Sequence, residues 1–257
     1  MRIKKVFLLF HLFLLSLSSM AYDAMGHRII ADIAYNNLSA KAKKQCDKVL
    51  GKNGLIYAAT WPDEIRSDKQ YDYSYKWHYQ NLKDSLGIDQ IEQLYKNPTA
   101  EGEHLFFAIQ EMQTRLKKNK NDAEALKFLV HFMADLHQPM HLGRADDLGA
   151  NKINVQWFGK STNLHAVWDG SITESQKMSY SEYSQFLQDS FEKVKTQKQS
   201  ESLMQSVNKV YVLRTEVYNY GVADKSNYNY IYNFASKNNE MMYNAGIQLA
   251  KMLNGLF

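Results

Sequence analysis

Three histidines and a carboxylate crowd the stretch His131-Phe-Met-Ala-Asp135-Leu-His137-Gln-Pro-Met-His141. His131 and Asp135 are four residues apart, so a helix would project them from one face, about a turn from each other. That is how one helix offers a nitrogen and an oxygen ligand to a single metal ion such as zinc. His137, two residues on, points elsewhere, and Pro139 disfavours helix at Gln138 and lets His141 turn in a new direction. The step recurs in His165-Ala-Val-Trp-Asp169. A lone His-x-x-x-Asp is more often a structural hydrogen bond than a metal site. Two such pairs and an extra histidine between residues 131 and 169 favour a multinuclear metal centre.

Outlying residues extend the pattern. Trp61-Pro62-Asp63-Glu64-Ile65-Arg66 sets a guanidinium three residues after a carboxylate, and Trp77-His78-Tyr79 flanks an imidazole with aromatics. His27 follows Tyr22 by five positions. Ahead of Tyr22, Arg2, Lys4 and Lys5 precede an apolar run from Val6 to Leu17 that ends in Ser19-Met20-Ala21. A basic start, a short apolar core and small residues before the junction read as a secretory signal peptide over residues 1–21. An uncleaved anchor is the alternative. Cleavage after Ala21 would place a free α-amino group near His27. The expected mature chain is then residues 22–257, exported to the periplasm or the medium, with no membrane span.

Removing that leader changes how the charge reads. The whole chain of 257 residues has 31 Lys+Arg against 27 Asp+Glu, but three of the basic residues belong to the leader, so the mature balance is close to neutral. The basic excess of the whole chain is therefore no argument for a surface that coats nucleic acid by bulk charge. Val6–Leu17 is shorter than the roughly 20 residues of a spanning helix. The single cysteine, Cys46, excludes an internal disulfide, so an exported chain must be held by packing or by metal.

The elements that must position these residues are mostly helical. Ile29, Ile30, Ile33, Ala34 and Leu38 recur at helical spacing, and Ser39 can cap a helix over 41–50. Residues 103–118 carry Leu105, Phe106, Ile109, Met112, Gln113 and Leu116 on one face, and Asp122 can cap 123–136. Segments 179–195, 202–218 and 228–252 read the same way. The best strand is 151–158, with Leu142 onward as its partner. The expectation is one mainly α domain with a small β element near residues 142–158. The tyrosine-rich segments Tyr71-Asp72-Tyr73-Ser74-Tyr75 and 218–234 either offer base-stacking platforms or pack half-buried with their hydroxyls wet. Lys117-Lys118-Asn119-Lys120 closes a helix and faces solvent.

In order, His27, Trp61-x-Asp63-x-x-Arg66, Trp77-His78, His131-x-x-x-Asp135-x-His137-Gln-Pro-x-His141 and Asn163-Leu-His165-x-x-Trp168-Asp169 resemble the S1/P1 nuclease family. Its members are secreted, zinc-dependent and mainly helical, and share their fold with bacterial zinc phospholipase C. The match runs from about Tyr22 to Asp169. The resemblance implies three zinc ions. Asp63, His78 and His131 would hold the first, with Asp135 bridging to a second. The second would take His27 and the amino nitrogen and carbonyl oxygen of Tyr22. His141, His165 and Asp169 would hold the third. The family usually begins with Trp-Gly where this chain has Tyr22-Asp23. Gly149-Ala150-Asn151 resembles a family Gly-Gly-Asn loop that lies over the site.

Charge concentrated by metal in one cleft attracts a phosphodiester even on a nearly neutral protein, and close ions make hydroxide available near neutral pH. Asp63 is the candidate to orient the attacking water or take its proton. Arg66 offers a bidentate clamp for phosphate oxygens, or else a surface ion pair with Glu64 or Asp68. Tyr79 could stack on a base or pack in the core, and Asn151 is a candidate substrate contact. The expected substrates are single-stranded DNA and RNA, cut to 5′-phosphate products, and 3′-nucleotides; no stable protein partner is implied. The rivals are a phospholipase C-like phosphodiesterase, which typically has Glu where this chain has Asp169, and a non-catalytic zinc-binding protein, which would leave Arg66 without a role.

Overall fold

The computed structural model describes residues 22–221 and 226–257, so the leader expected at residues 1–21 lies outside the described residues. In chain order the helices are α1 (Ala24–Asn36), α2 (Ala40–Leu50), α3 (Gly54–Ala58), α4 (Trp61–Glu64), α5 (Ile88–Lys96), α6 (Leu105–Lys118) and α7 (Ala123–Asp135). A hairpin, β1 (Asn154–Trp157) and β2 (Lys160–Asn163), then leads to α8 (Leu164–Ala166), α9 (Ile172–Glu174), α10 (Tyr180–Phe191), α11 (Lys195–Ser200), α12 (Leu203–Tyr220) and α13 (Asn227–Leu256). The architecture is mainly α, as expected.

Short polar side chains set many of these boundaries. Asp23 accepts from the Gly26 N–H at 2.9 Å, Ser39 from Ala42 at 3.2 Å and Asp122 from Ala125 at 2.9 Å, opening α1, α2 and α7. Ser179 with Glu182 and Ser202 with Gln205 form capping boxes that open α10 and α12. Each cap is worth about 1 kcal/mol. The apolar stripe of α1 is sandwiched between α13, α10 and α3. A methyl group at Gly246 of α13 would lie 2.5 Å from Ile33 Cγ2, so glycine permits the close approach of α1 and α13. Phe106, Phe128, Phe132 and Trp168 anchor the larger core, while Tyr22, Ile29, Ile30, Tyr183 and Met242 form a second cluster behind α1.

Two expectations fail. The predicted helix over 179–195 ends at Phe191, which stacks on Tyr243 with ring centroids 4.8 Å apart. After a 3₁₀ turn, Glu192–Val194, the chain enters α11, whose Lys198 is buried and bonds Glu240 of α13. The strand is shorter than 151–158, and its partner lies after it: Asn154 pairs with Asn163 and Trp157 with Lys160. Phe158 and Gly159, at φ +47° and +80°, make the two-residue left-handed turn that suits the twist of a hairpin. Leu142 instead closes a 3₁₀ turn, Pro139–Leu142.

Candidate metal centre

Seven separate elements bring carboxylates and imidazoles to one buried wall. His27 comes from α1, Asp63 from α4, His78 from the end of the 3₁₀ segment Lys69–His78, and His131 and Asp135 from one face of α7. Pro139 acts as expected: α7 ends at Asp135, Gln138 is extended (φ −89°, ψ 119°), and the next turn delivers His141. Asn163 at the end of β2 caps α8 through the Ala166 N–H at 2.8 Å, positioning His165. Asp169 follows on a single π turn, Val167–Ser171, a distortion that recurs at functional sites. Gly170 beside it packs on Asp23, whose N–H donates to the Asp169 carbonyl at 2.8 Å.

Their atoms converge into three groups: His27, Asp63 and His131; His78, His131 and Asp135; and His141, His165 and Asp169. Asp135 Oδ2 lies 3.1 Å from His78 Nδ1 and 3.3 Å from His131 Nε2, and those two nitrogens are 3.0 Å apart. Asp63 Oδ1 stands 3.9 Å from His78 Nδ1 and 3.8 Å from His131 Nε2. The other oxygen of Asp135 is 3.5 Å from His27 Nε2. In the third group His165 Nε2 is 3.3 Å, and His141 Nε2 3.6 Å, from the Asp169 carboxylate. A tetrahedral ion with bonds of about 2.0–2.1 Å spaces its ligand atoms about 3.3 Å apart, so these separations suit a shared metal.

The surroundings point the same way. His131 Nδ1 donates to the Ala59 carbonyl (2.7 Å), His141 Nδ1 to that of His78 (2.5 Å) and His165 Nδ1 to that of Gly149 (2.6 Å). A carbonyl can only accept, so in each ring, once neutral, Nε2 carries the lone pair and aims it into the cluster, the tautomer a metal needs. Among the described residues both nitrogens of His27, the Nε2 atoms of His141 and His165, and one oxygen each of Asp63 and Asp135 are buried without a hydrogen bond. Burial holds His27 well below the ordinary imidazole range, pushes His78 down to about 4, and lowers His165. For His131 and His141 burial also opposes charge, but the Asp135 carboxylate, helped by Asp63 and by Asp169 respectively, outweighs it; His141 rises to about 9. Buried, mutually opposed donors of this kind fit divalent cations.

Above the wall opens a cleft of about 270 Å³, lined among others by Arg66, Tyr75, Tyr79, Asn81, Leu148 and Asn151. Arg66 Nη1 lies 3.5 Å from Asp63 Oδ1, at the edge of the donor cluster. Leu148, Gly149 and Ala150 are consecutive left-handed residues, at φ +56°, +62° and +66°. Such strain clusters at functional sites. Asn151 Nδ2 closes the loop on the Leu148 carbonyl at 2.8 Å.

A family model described as S1/P1 Nuclease matches residues 22–257, the whole stretch that carries these donors. The chain belongs to the S1/P1 nuclease family. It is 32% identical over 196 residues to Endonuclease 1 of Arabidopsis thaliana, covering 71% of this chain and 64% of that protein. It is 30% identical over 179 residues to Nuclease S1 of Aspergillus oryzae, covering 65% and 60%. To Nuclease P1 of Penicillium citrinum it is 31% identical over 159 residues, covering 58% and 57%. The chain thus spans somewhat over half the length of the curated relatives it matches.

Within this S1/P1 nuclease chain the residues singled out from sequence separate clearly. His137 stands apart from the donor groups, bonded to the Met133 carbonyl at 2.8 Å and to Ser206 at 2.9 Å. Tyr22 is wholly buried, its hydroxyl donating to the His137 carbonyl at 3.3 Å. Tyr79 lines the cleft half-buried, with the His104 ring 5.6 Å behind it. Tyr75, from the tyrosine-rich segment read either as a stacking platform or as half-buried packing, lines the cleft; Asn81 and Leu148 were missed, although Gly149 hinted at the loop. Leu148 is 59% exposed over the cleft, a position that no apolar pattern signals.

Proposed function

We propose that this chain is a phosphodiesterase that cuts single-stranded DNA and RNA to 5′-phosphate products with three zinc ions, and that it also removes 3′-phosphates from nucleotides. The observation that carries the reading is the set of three donor groups beneath a cleft that also presents Arg66. Nitrogen and carboxylate donors in this arrangement suit zinc. Asp63, His78 and His131 would hold one ion, with Asp135 reaching from it to another held by His27 and the backbone nitrogen and oxygen of Tyr22. His141, His165 and Asp169 would hold the third. Bound there, zinc supplies positive charge for phosphate oxygens and makes nearby water acidic near neutral pH.

The chain's own residues supply the rest. Asp63 orients the attacking water or takes its proton. Arg66, beside it, clamps the phosphate oxygens and the charge that develops on them. Tyr79 and the exposed Leu148 both line the cleft, where a flat base would lie between them as in a slot, and Asn151 fixes the loop that carries Leu148. A base still stacked in a duplex cannot enter such a slot, which favours single strands. Residues 1–21 act as an export leader, removed before the site is complete. No helix of the described residues is long and apolar enough to cross a membrane.

The test is incubation of the chain starting at Tyr22 with single-stranded DNA and with phosphatidylcholine, each with and without chelator. DNA cleavage that chelator abolishes is expected, and Asp63→Asn should lower it at least 1,000-fold (about 4 kcal/mol) with the helical circular-dichroism spectrum unchanged. Hydrolysis of the lipid instead would move the chain to the phospholipase C reading. Zinc uptake with neither activity would leave a binding protein.

A further inference from the structure

The 3₁₀ segment Lys69–His78 delivers His78 to the metal centre, and its repeat of three residues per turn sorts its side chains into three strips. Tyr71, Ser74 and Trp77 form the inner strip. Ser74 and Trp77 are buried, and Tyr71 and Trp77 meet Phe128 at 6.4 and 5.9 Å between ring centroids. Lys69, Asp72, Tyr75 and His78 form the second strip, which runs from solvent into the metal cluster. Gln70, Tyr73 and Lys76 form the third. Tyr73 is 51% and Tyr75 61% exposed, and Lys69 and Lys76 are exposed as well.

Both tyrosines are held in place rather than loose. Tyr73 leans on Trp77, 5.0 Å away, and on Tyr71, 6.2 Å away. Tyr75 lines the cleft, and the Arg66 guanidinium lies 5.5 Å from its ring centroid. One face of Tyr75 therefore meets the phosphate clamp while the ring as a whole stays largely in water. Large aromatic rings kept wet and pre-positioned at the mouth of a cleft suit a flat ligand that arrives from solvent. The other tyrosine-rich segment also exposes rings, Tyr228 and Tyr232, but neither lines the cleft.

We propose that this surface is the track along which a single strand enters. Tyr75 stacks the base across the scissile phosphate from Tyr79, Tyr73 stacks the next one outward, and Lys76 and Lys69 face the phosphates between them. The track rests on the nucleic-acid reading above and extends it to strands longer than a dinucleotide. Asp72 offsets one of the two lysines, so stacking carries more of the affinity than charge does.

The experiment compares a ten-nucleotide thymidine strand with methyl p-nitrophenyl phosphate, a diester without bases, in wild type, Tyr73→Ala, Tyr75→Ala and the two Phe variants. Each Ala variant should lose about 10-fold more kcat/KM on the strand than on the small ester, mainly through KM, and each Phe variant should keep near wild-type selectivity. Equal losses on both substrates, no loss, or Phe variants as poor as Ala would overturn the track. A wild type that hydrolyses the ester but not the strand would overturn the nucleic-acid reading and the track with it. A wild type inert toward both would overturn the phosphodiesterase reading itself, and again the track.

Discussion

His27 lies flat on His131, with ring centroids 3.9 Å apart and planes 8° from parallel. The two rings come from α1 and α7, and each turns Nε2 toward Asp135, at 3.5 and 3.3 Å. Such a stack cannot hold two imidazolium charges. Burial and the neighbouring His131 keep His27 neutral, while Asp135 and Asp63 overcome burial to favour a proton on His131. Divalent ions at these atoms would pair every donor and tie α1 to α7.

Metal removal should therefore cost stability as well as activity. A ligand present at a thousand times its Kd stabilises the folded chain by about 4 kcal/mol. Treatment with EDTA should lower Tm in scanning calorimetry, and added zinc should restore it. A Tm indifferent to both would count against the centre.

On α12, which packs against the turn that carries His141, Arg214 is wholly buried and donates to Asp84 Oδ1 (2.7 Å) and to the Leu82 carbonyl (2.8 Å). Arg144 also binds Asp84, at 2.7 Å from Nη2. Hydrogen bonds from Arg144 and then from Arg214 hold the Asp84 carboxyl below its ordinary value. A lowered folded pKa gives stability that is present above the unfolded value, about 3.9, and is lost as pH falls through the folded one. Asp84→Asn should cost about 1–2 kcal/mol at pH 7, a modest figure because the carboxylate is half exposed. The gap between variant and wild type in urea melts should close as pH drops through 4 to 2.

Most of this architecture is written in local sequence, and the departures have physical causes. Ser39 and Asp122 cap helices as read, because an N-cap acts on amides two or three residues away, and Ser179 and Ser202, which begin segments read as helical, cap theirs too. The His131/Asp135 and His165/Asp169 steps and the Pro139 break were legible for the same reason. At the stop, Phe191 stacks on Tyr243, far along the chain, and nothing near residue 191 announces that contact. The downstream partner of β1 went unread because its turn places Phe158 at positive φ, where Asn or Asp would have been the signal. Tyr75 and Leu148 are wet by virtue of the cleft alone, a tertiary fact.

The loop that holds Leu148 offers a paired test at adjacent residues. A methyl group at Gly149 would come within 2.5 Å of the Met140 carbonyl oxygen, and φ is +62°. Gly149→Ala should cost about 3 kcal/mol or more and weaken metal binding, because the Gly149 carbonyl orients His165. Ala150 already stands at φ +66°. There, relief of left-handed strain offsets the added backbone freedom, so Ala150→Gly should stay within about 1 kcal/mol of wild type. Urea melts and zinc titrations of the two variants check both halves.

Tyr22 ties the start of the described chain to the metal wall. Its ring packs so closely on α1 that a methyl group at Gly26 would lie 2.8 Å from Tyr22 Cδ1. Next to it, Asp23 is fixed to the Asp169 carbonyl. If the Tyr22 nitrogen is a ligand, it must be a free amine, because an amide nitrogen is a poor donor to zinc. Protein beginning at Tyr22 should then bind three zinc ions, and protein retaining residues 1–21 should bind two, as counted by native mass spectrometry. Tyr22→Trp should keep the ion at His27, since the contact is made by backbone atoms. Gly26→Ala should weaken it by displacing the ring that positions them. Equal zinc content in the long and short forms would refute the terminal ligand and leave His27 and Asp135 to hold that ion without it.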